Sequence, residues 1–197
     1  VRIACHTVEF FEALPAFEFL NSKGYKVAFN LMQVSECEPE ELKLLSKEAQ
    51  KYPFDVLYFA DSLGNMNTEK VLNVIELLRT HWKGALGIHA HDNMGLALSN
   101  SLYAINKGIT WVDSTVTGMG RGAGNVKTEL LVIEISKLHD SSCNMKPIMA
   151  LIANTFKPMK EKYGWGTNPF YYLSGKNSVH PTYVQGMMMD SRYNEED

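Results

Sequence analysis

Cysteine is scarce in this chain. Cys5, Cys37 and Cys143 are odd in number and share no metal-ligand spacing, so reduced thiols and a cytoplasmic location are expected. Positive charge is no more abundant. With 19 Lys and Arg against 22 Asp and Glu, the net charge is −3, which leaves no basic field to draw nucleic acid or an anionic membrane. No apolar run approaches the ~20 residues that a bilayer span needs, and no signal peptide opens the chain. No Gly-x-Gly-x-x-Gly follows an early strand, so a dinucleotide-binding doubly wound sheet has little support. The glycine-rich segment at 118–125 has no following lysine of the P-loop kind.

What is present is an ordinary globular composition, 45% apolar and 21% charged over 197 residues, enough for one domain with a sizeable core. Apolar runs at 1–6, 25–32, 54–60, 85–91 and 109–116 read as strands. The run at 54–60, Phe-Asp-Val-Leu-Tyr-Phe-Ala, is apolar from Val56 onward, as in a strand covered on both faces. Between the strands lie helical patterns. One is closed by Gly24, one opens at Pro39, and one begins at Thr68 and carries Val71, Leu72, Ile75 and Leu78. A fourth covers 96–107 and is capped by Gly108. Further helices are expected at 128–138 and 148–163 and a short one at 181–189, before an acidic tail at 194–197 that should fray.

Strands alternating with single helices describe repeated βα units and a parallel α/β sheet. A (β/α)8 barrel needs eight such units in about 250 residues. Five are legible here, so the chain is either an open α/β domain or the last five-eighths of a barrel. Val1 stands in a strand already under way, which suggests a piece of a longer chain.

The most informative stretch is Gly87-Ile88-His89-Ala90-His91-Asp92-Asn93. Side chains alternate along a strand, so His89 and His91 project together while Ala90 faces away. Asn93 is placed to cap the helix that follows. Paired imidazoles at a strand end are half of a metal site, or else two histidines satisfied within a core. Polar residues also gather at other strand ends, at Asp61-Ser62 and from Gly118 onward. In a barrel that rim is where chemistry sits.

Three motifs in order, Ala60-Asp61-Ser62-Leu63-Gly64, the His89-Ala90-His91 stretch with Ala97, Asn100 and Ser101, and Val112-Asp113 leading to Gly118-Met119-Gly120-Arg121-Gly122-Ala123-Gly124-Asn125, resemble the metal-dependent aldolase and acyl-lyase TIM barrels. That family is HMG-CoA lyase-like, and the similarity is greatest to its 4-hydroxy-2-oxovalerate aldolase branch. The lyases carry a cysteine in the glycine loop, which 118–125 lacks, and the synthases usually order the motif His-x-His-Asn-Asp. The family's Arg-Asp-Gly motif, which supplies a ligating aspartate and an orienting arginine, occurs nowhere in these residues. The resemblance aligns Val1 with the fourth strand. The expected architecture is therefore a partial TIM barrel over 1–140, its C-terminal five βα units with the N-terminal three missing, and a helical extension over 141–197.

The resemblance implies a divalent-metal-dependent lyase that cleaves a 4-hydroxy-2-oxo acid to pyruvate and an aldehyde. His89, His91 and Asn125 would be ligands, the cation being Mn²⁺ with Mg²⁺ or Co²⁺ as alternatives. A base would take the 4-hydroxyl proton, the C3–C4 bond would break, and the cation would stabilise the enolate charge. Asn125 could equally fix the glycine loop through backbone hydrogen bonds. Ser62 would contact substrate or serve as a turn serine. Tyr171, beyond Tyr163-Gly164-Trp165-Gly166, would meet substrate and join His89 in catalysis, or simply pack. Asp113 could be structural or functional, and Arg121 reads as a surface residue. Alternatives are a Claisen-type acyl-CoA synthase, which would need acyl-CoA, and a non-catalytic partner-binding module, which the missing Arg-Asp-Gly favours for the isolated chain. Expected partners are a small 2-oxo acid, a homo-oligomeric copy and an acylating aldehyde dehydrogenase, with no nucleic acid and no membrane.

Overall fold

One strand is buried at every position, and the sheet is built outward from it. It is β3 (Val56–Asp61), apolar on both faces as a central parallel strand must be. In this computed structural model, which describes residues 1–138 and 140–193, β3 lies between β2 (Ala28–Met32) and β4 (Ala85–Ala90). β1 (Arg2–His6) and β5 (Trp111–Val112) form the two edges, giving the order β1-β2-β3-β4-β5. β1 runs parallel to β2 with Ala4 opposite Asn30, and β2 runs parallel to β3 with Asn30 opposite Tyr58. β4 and β5 are parallel with Ile88 opposite Val112. The terminal residues 194–197, expected to fray, lie outside the described residues.

A helix follows each strand: α1 (Phe10–Ser22), α2 (Pro39–Ala49), α3 (Thr68–Arg79), α4 (Ala97–Asn106) and α5 (Thr128–Leu138). These five consecutive βα units form a partial (β/α) barrel. The sequence supplies the helix starts directly. Pro39 stands in the first turn of α2, where its missing N–H costs nothing. The Asn67 side chain accepts the Lys70 amide at 2.9 Å to cap α3.

The chain divides into two compact units. The first comprises residues 1–62, 66–89 and 103–113. Its aromatic core is centred on Phe54, whose ring lies 4.5 Å from Phe17, 5.0 Å from Phe29, 5.7 Å from Tyr52 and 6.2 Å from Trp82. Each aromatic pair adds about 0.5–1.5 kcal/mol beyond the area it buries. The second unit comprises 63–65, 90–102 and 114–197, and carries α6 (Lys146–Leu151), α7 (Lys157–Tyr163), α8 (Pro169–Lys176) and α9 (Pro181–Met189). No helix among the described residues is long and apolar enough to cross a membrane.

Besides β2, which opens at Ala28 and not at Tyr25, three elements differ from the sequence expectation. The fifth strand ends at Val112, because the chain leaves the sheet to make a 3-10 turn at Val116–Gly118 and a backbone bridge from Thr115 to Lys127. The helix expected at 148–163 is interrupted by a π-helical turn at Ile152–Phe156. Pro158 cannot donate to the carbonyl four residues back and its ring crowds that carbonyl, which forces the wider turn. α8 was not anticipated, although Asn168 caps it by accepting the Tyr171 amide at 2.9 Å and Pro169 opens it.

Candidate active site

β4 is buried continuously from Leu86 to Ile88, as a strand covered on both faces should be, and its exposure varies only towards its end. Ile88 and Ala90 are buried, while His89 and His91 are partly exposed.

In the first unit, His89 Nδ1 lies 2.8 Å from Asp113 Oδ2. An ionised carboxylate can only accept, so Nδ1 carries the proton that His89 donates to Asp113. The same carboxylate oxygen accepts from Arg2 Nη1, and the Arg2 guanidinium lies 4.9 Å from the centre of the Tyr58 ring. Burial alone would push the Asp113 carboxyl up. The hydrogen bonds from His89 and Arg2, and the charge on Arg2, outweigh it and hold the group below its usual range. Tyr58 is pushed up by burial and then by the Asp113 charge, against the opposing pull of Arg2. Asp113, which its sequence context left ambiguous, thus orients a histidine. Arg2 was missed altogether, because its partner is 111 residues away in sequence.

Ser62 Oγ accepts the Gln33 amide at 2.9 Å, a contact between segments 29 residues apart. Asp61, almost fully buried, accepts the Met66 amide at 3.2 Å and so organises its turn.

In the second unit, His91 and Asn125 are joined by an antiparallel backbone bridge. The Asp92 amide donates to Gly124 O at 3.0 Å, and the glycine loop closes on itself through Asn125 N to Gly118 O at 3.1 Å. Gly124 has φ +79°, and a β-carbon there would collide with the Gly118 carbonyl oxygen, so only glycine closes this loop. The Asn125 Nδ2 donates to Met119 O at 3.2 Å, while its Oδ1 is buried and has no hydrogen-bond partner among the described residues.

The residue that caps α4 is Asp92, not Asn93. Asp92 Oδ1 accepts the Ala97 amide at 3.1 Å. Asn93 is 1% exposed and turned inward, its Nδ2 donating to Ser174 Oγ at 3.2 Å. Burial pushes the Asp92 carboxyl up, only partly offset by the Ala97 amide and by the charges of Lys127 and Lys160.

Tyr171 is buried, and its ring edge lies against Gly122, where an added β-carbon would stand 2.9–3.3 Å from Cε1, Cζ and Oη. Burial pushes its hydroxyl up. The aromatic segment before it also holds the loop, since Trp165 Nε1 donates to Thr117 O at 3.2 Å and Gly166 N to Gly122 O at 3.0 Å. Thr117, in the left-handed region at φ 56°, is tied down by its amide donating to Glu129 Oε2 at 3.0 Å.

Among the described residues, no three His, Cys, Asp or Glu side chains form a group able to hold a metal. A divalent cation would instead have to use imidazole and amide oxygen. The Asn125 Oδ1 fits that chemistry, because a buried carbonyl oxygen lacking a donor is costly unless something fills the role. The His89 Nδ1–carboxylate bond fits too, since ligating histidines tie down their second nitrogen in this way.

The family model described as HMGL-like matches residues 7–154. The chain belongs to the HMGL-like family. It is 36% identical over 138 residues to a 4-hydroxy-2-oxovalerate aldolase of Geobacillus genomosp. 3, covering 70% of this chain and 41% of that protein. To an oxaloacetate decarboxylase of Mycobacterium tuberculosis it is 32% identical over 137 residues, covering 70% of this chain and 41% of that one. The N-terminal domain of a candidate aldolase from Bacteroides vulgatus superposes with a TM-score of 0.87 at 36% identity, over 97% of this chain and 64% of that one. This HMGL-like chain therefore spans about two-fifths of the length of the curated relatives just named.

Proposed function

We propose that the protein to which this HMGL-like chain belongs is a divalent-metal-dependent lyase that cleaves a 4-hydroxy-2-oxo acid to pyruvate and an aldehyde. The observation that carries this reading is the unpartnered, buried Oδ1 of Asn125 beside the His91 backbone, in a chain similar to proteins named 4-hydroxy-2-oxovalerate aldolase. The proposed cation donors are His89, His91 and Asn125. A hard or borderline ion, Mn²⁺ with Mg²⁺ or Co²⁺ as alternatives, suits nitrogen and oxygen donors without thiolate. Such an ion supplies Lewis-acid stabilisation of negative charge developing on a 2-oxo acid.

The chain's own residues supply orientation. Asp113 and Arg2 hold the His89 ring and keep its proton on Nδ1. The glycine loop brings backbone close to Asn125, and Tyr171 offers a hydroxyl from a buried ring for substrate. Ser62 is proposed to meet substrate with the lone pair its Gln33 contact leaves over. Residues 1–140 would form the barrel portion and 141–197 the helical extension.

A second reading is favoured by the relative named oxaloacetate decarboxylase. Decarboxylating oxaloacetate and cleaving a 4-hydroxy-2-oxo acid both break a bond to C3 of a 2-oxo acid, so one site can serve either. The test is pyruvate release by the full-length protein from 4-hydroxy-2-oxo acids and from oxaloacetate, with and without Mn²⁺. His89→Ala should lower turnover at least about a hundredfold, since even outer partners of metal ligands are worth up to that much. Turnover that survives the substitution would overturn the site.

A further inference from the structure

The middle residue of β2 is polar where its neighbours are not. Phe29 and Leu31 are fully buried, and the Phe29 ring centre lies 5.0 Å from those of Phe10 in α1 and of Phe54. Side chains alternate along a strand, so Asn30 stands on the opposite face of the sheet from that aromatic core. It is 5% exposed, and its Oδ1 is buried without a hydrogen-bond partner among the described residues. A buried carbonyl oxygen that lacks a donor is costly. Asn93 shares that lack, but its side chain is pressed against Gly64 and Gly175, which leaves no space for a ligand.

The face that Asn30 joins carries the proposed chemistry. Tyr58 is the Cα partner of Asn30 in the parallel register of β2 and β3, so the two side chains share a face. A β-carbon on Gly87 would run into the Tyr58 ring. Gly87, and with it His89 two residues on, therefore projects to the same side. Asp113 joins the group through His89, and Arg2 through Asp113 and the Tyr58 ring. All of these residues belong to the first unit. On the other side of Asn30 its partner in β1 is Ala4, which is exposed and offers only a methyl group. β2 and β4 are two strand spacings apart, about 10 Å, a gap that a small acid spans together with the two side chains.

We propose that Asn30 selects substrates whose aldehyde half carries a hydroxyl group. The inference rests on the aldolase reading and narrows its substrate class. His89 marks the 2-oxo acid end, and Asn30 meets the part that leaves as the aldehyde. A half-turn of the amide exchanges Oδ1 and Nδ2, and a hydroxyl, at once donor and acceptor, pairs with either. An alkyl tail would leave the amide unpaired, and that loss is what discriminates.

The test uses the full-length protein with Mn²⁺ and two 4-hydroxy-2-oxo acids of matched size, one with an ethyl tail and one with a hydroxymethyl tail. The wild type should favour the hydroxymethyl substrate. In Asn30→Leu the ratio of kcat/KM for the hydroxymethyl over the ethyl substrate should fall about tenfold. The same variant should raise the urea midpoint, because an apolar group replaces an unpaired amide. Asn30→Ala, which adds no bulk, should lower the ratio as well. A wild type without preference, or a ratio that neither variant changes, would overturn the proposal. Lower midpoints in both variants with the ratio unchanged would assign Asn30 to packing alone. Pyruvate from both substrates at equal kcat/KM defeats this inference and leaves the aldolase reading standing, whereas no pyruvate from either defeats both.

Discussion

At the scale of single residues, the informative positions are those where burial and charge compete. Asp113 is held below the ordinary value of 3.8 by the His89 and Arg2 hydrogen bonds despite its desolvation. A depressed carboxyl adds stability that is complete above the unfolded value and is lost as pH falls through the folded one. Asp113→Asn should therefore flatten the acid limb of a pH–stability curve read from urea midpoints. It should also weaken Mn²⁺ binding by the full-length protein roughly 10- to 100-fold, as measured by calorimetry, because the ring loses the acceptor that fixes its tautomer. Cys5 illustrates the opposite sign. Burial, and then the charge of Glu9, push its thiol from 9.0 up to about 12. Its contribution is complete below pH 9 and is lost as pH rises towards 12, so Cys5→Ala should lessen the alkaline loss of stability. The same burial makes Cys143, which is exposed, the fast-reacting thiol in a native-state titration with a disulfide reagent, and Cys5 the slow one.

At the scale of elements, two features set how firmly the site is held. The first is the aromatic core centred on Phe54, which is 6% exposed and touches rings from α1, β2 and the segment after α3. Phe54→Ala should cost about 3–5 kcal/mol in denaturant unfolding, the range for emptying an aromatic core position. The second is the glycine loop. Gly124→Ala adds a β-carbon against the Gly118 carbonyl at a positive φ, so it should open the loop and weaken Mn²⁺ binding while leaving the Phe54 core intact. Near-ultraviolet circular dichroism together with metal titration separates these two effects.

Elements also show where reading the sequence succeeded and failed. The apolar run from Val56 to Ala60 announced its strand because burial on both faces needs apolar residues. The shortened β5 and the π-helical turn were not legible. The first depends on a bridge between Thr115 and Lys127, and the second on how a proline displaces its own helix.

At the scale of the whole molecule, the two edges of the sheet matter most. β1 is exposed or half-buried at every residue but Cys5, in contrast to the wholly buried β3. A parallel edge strand left uncovered offers its backbone to another chain. The 197 residues expressed alone should therefore self-associate with rising concentration in analytical ultracentrifugation, and a longer protein that covers β1 should not. A sharp monomer over the whole concentration range would contradict this.

The linear chain by itself determined the alternation of strands and helices and the glycines of the loop. These follow from local periodicity and from backbone sterics, which act over a few residues. The folded form alone decided that Asp113 orients His89, that Arg2 joins them, that Asp92 rather than Asn93 caps α4, and that the Asn125 carbonyl oxygen is left without a donor. Each of these depends on groups far apart in sequence, or on which partner reaches a polar atom first, and no periodicity carries that information.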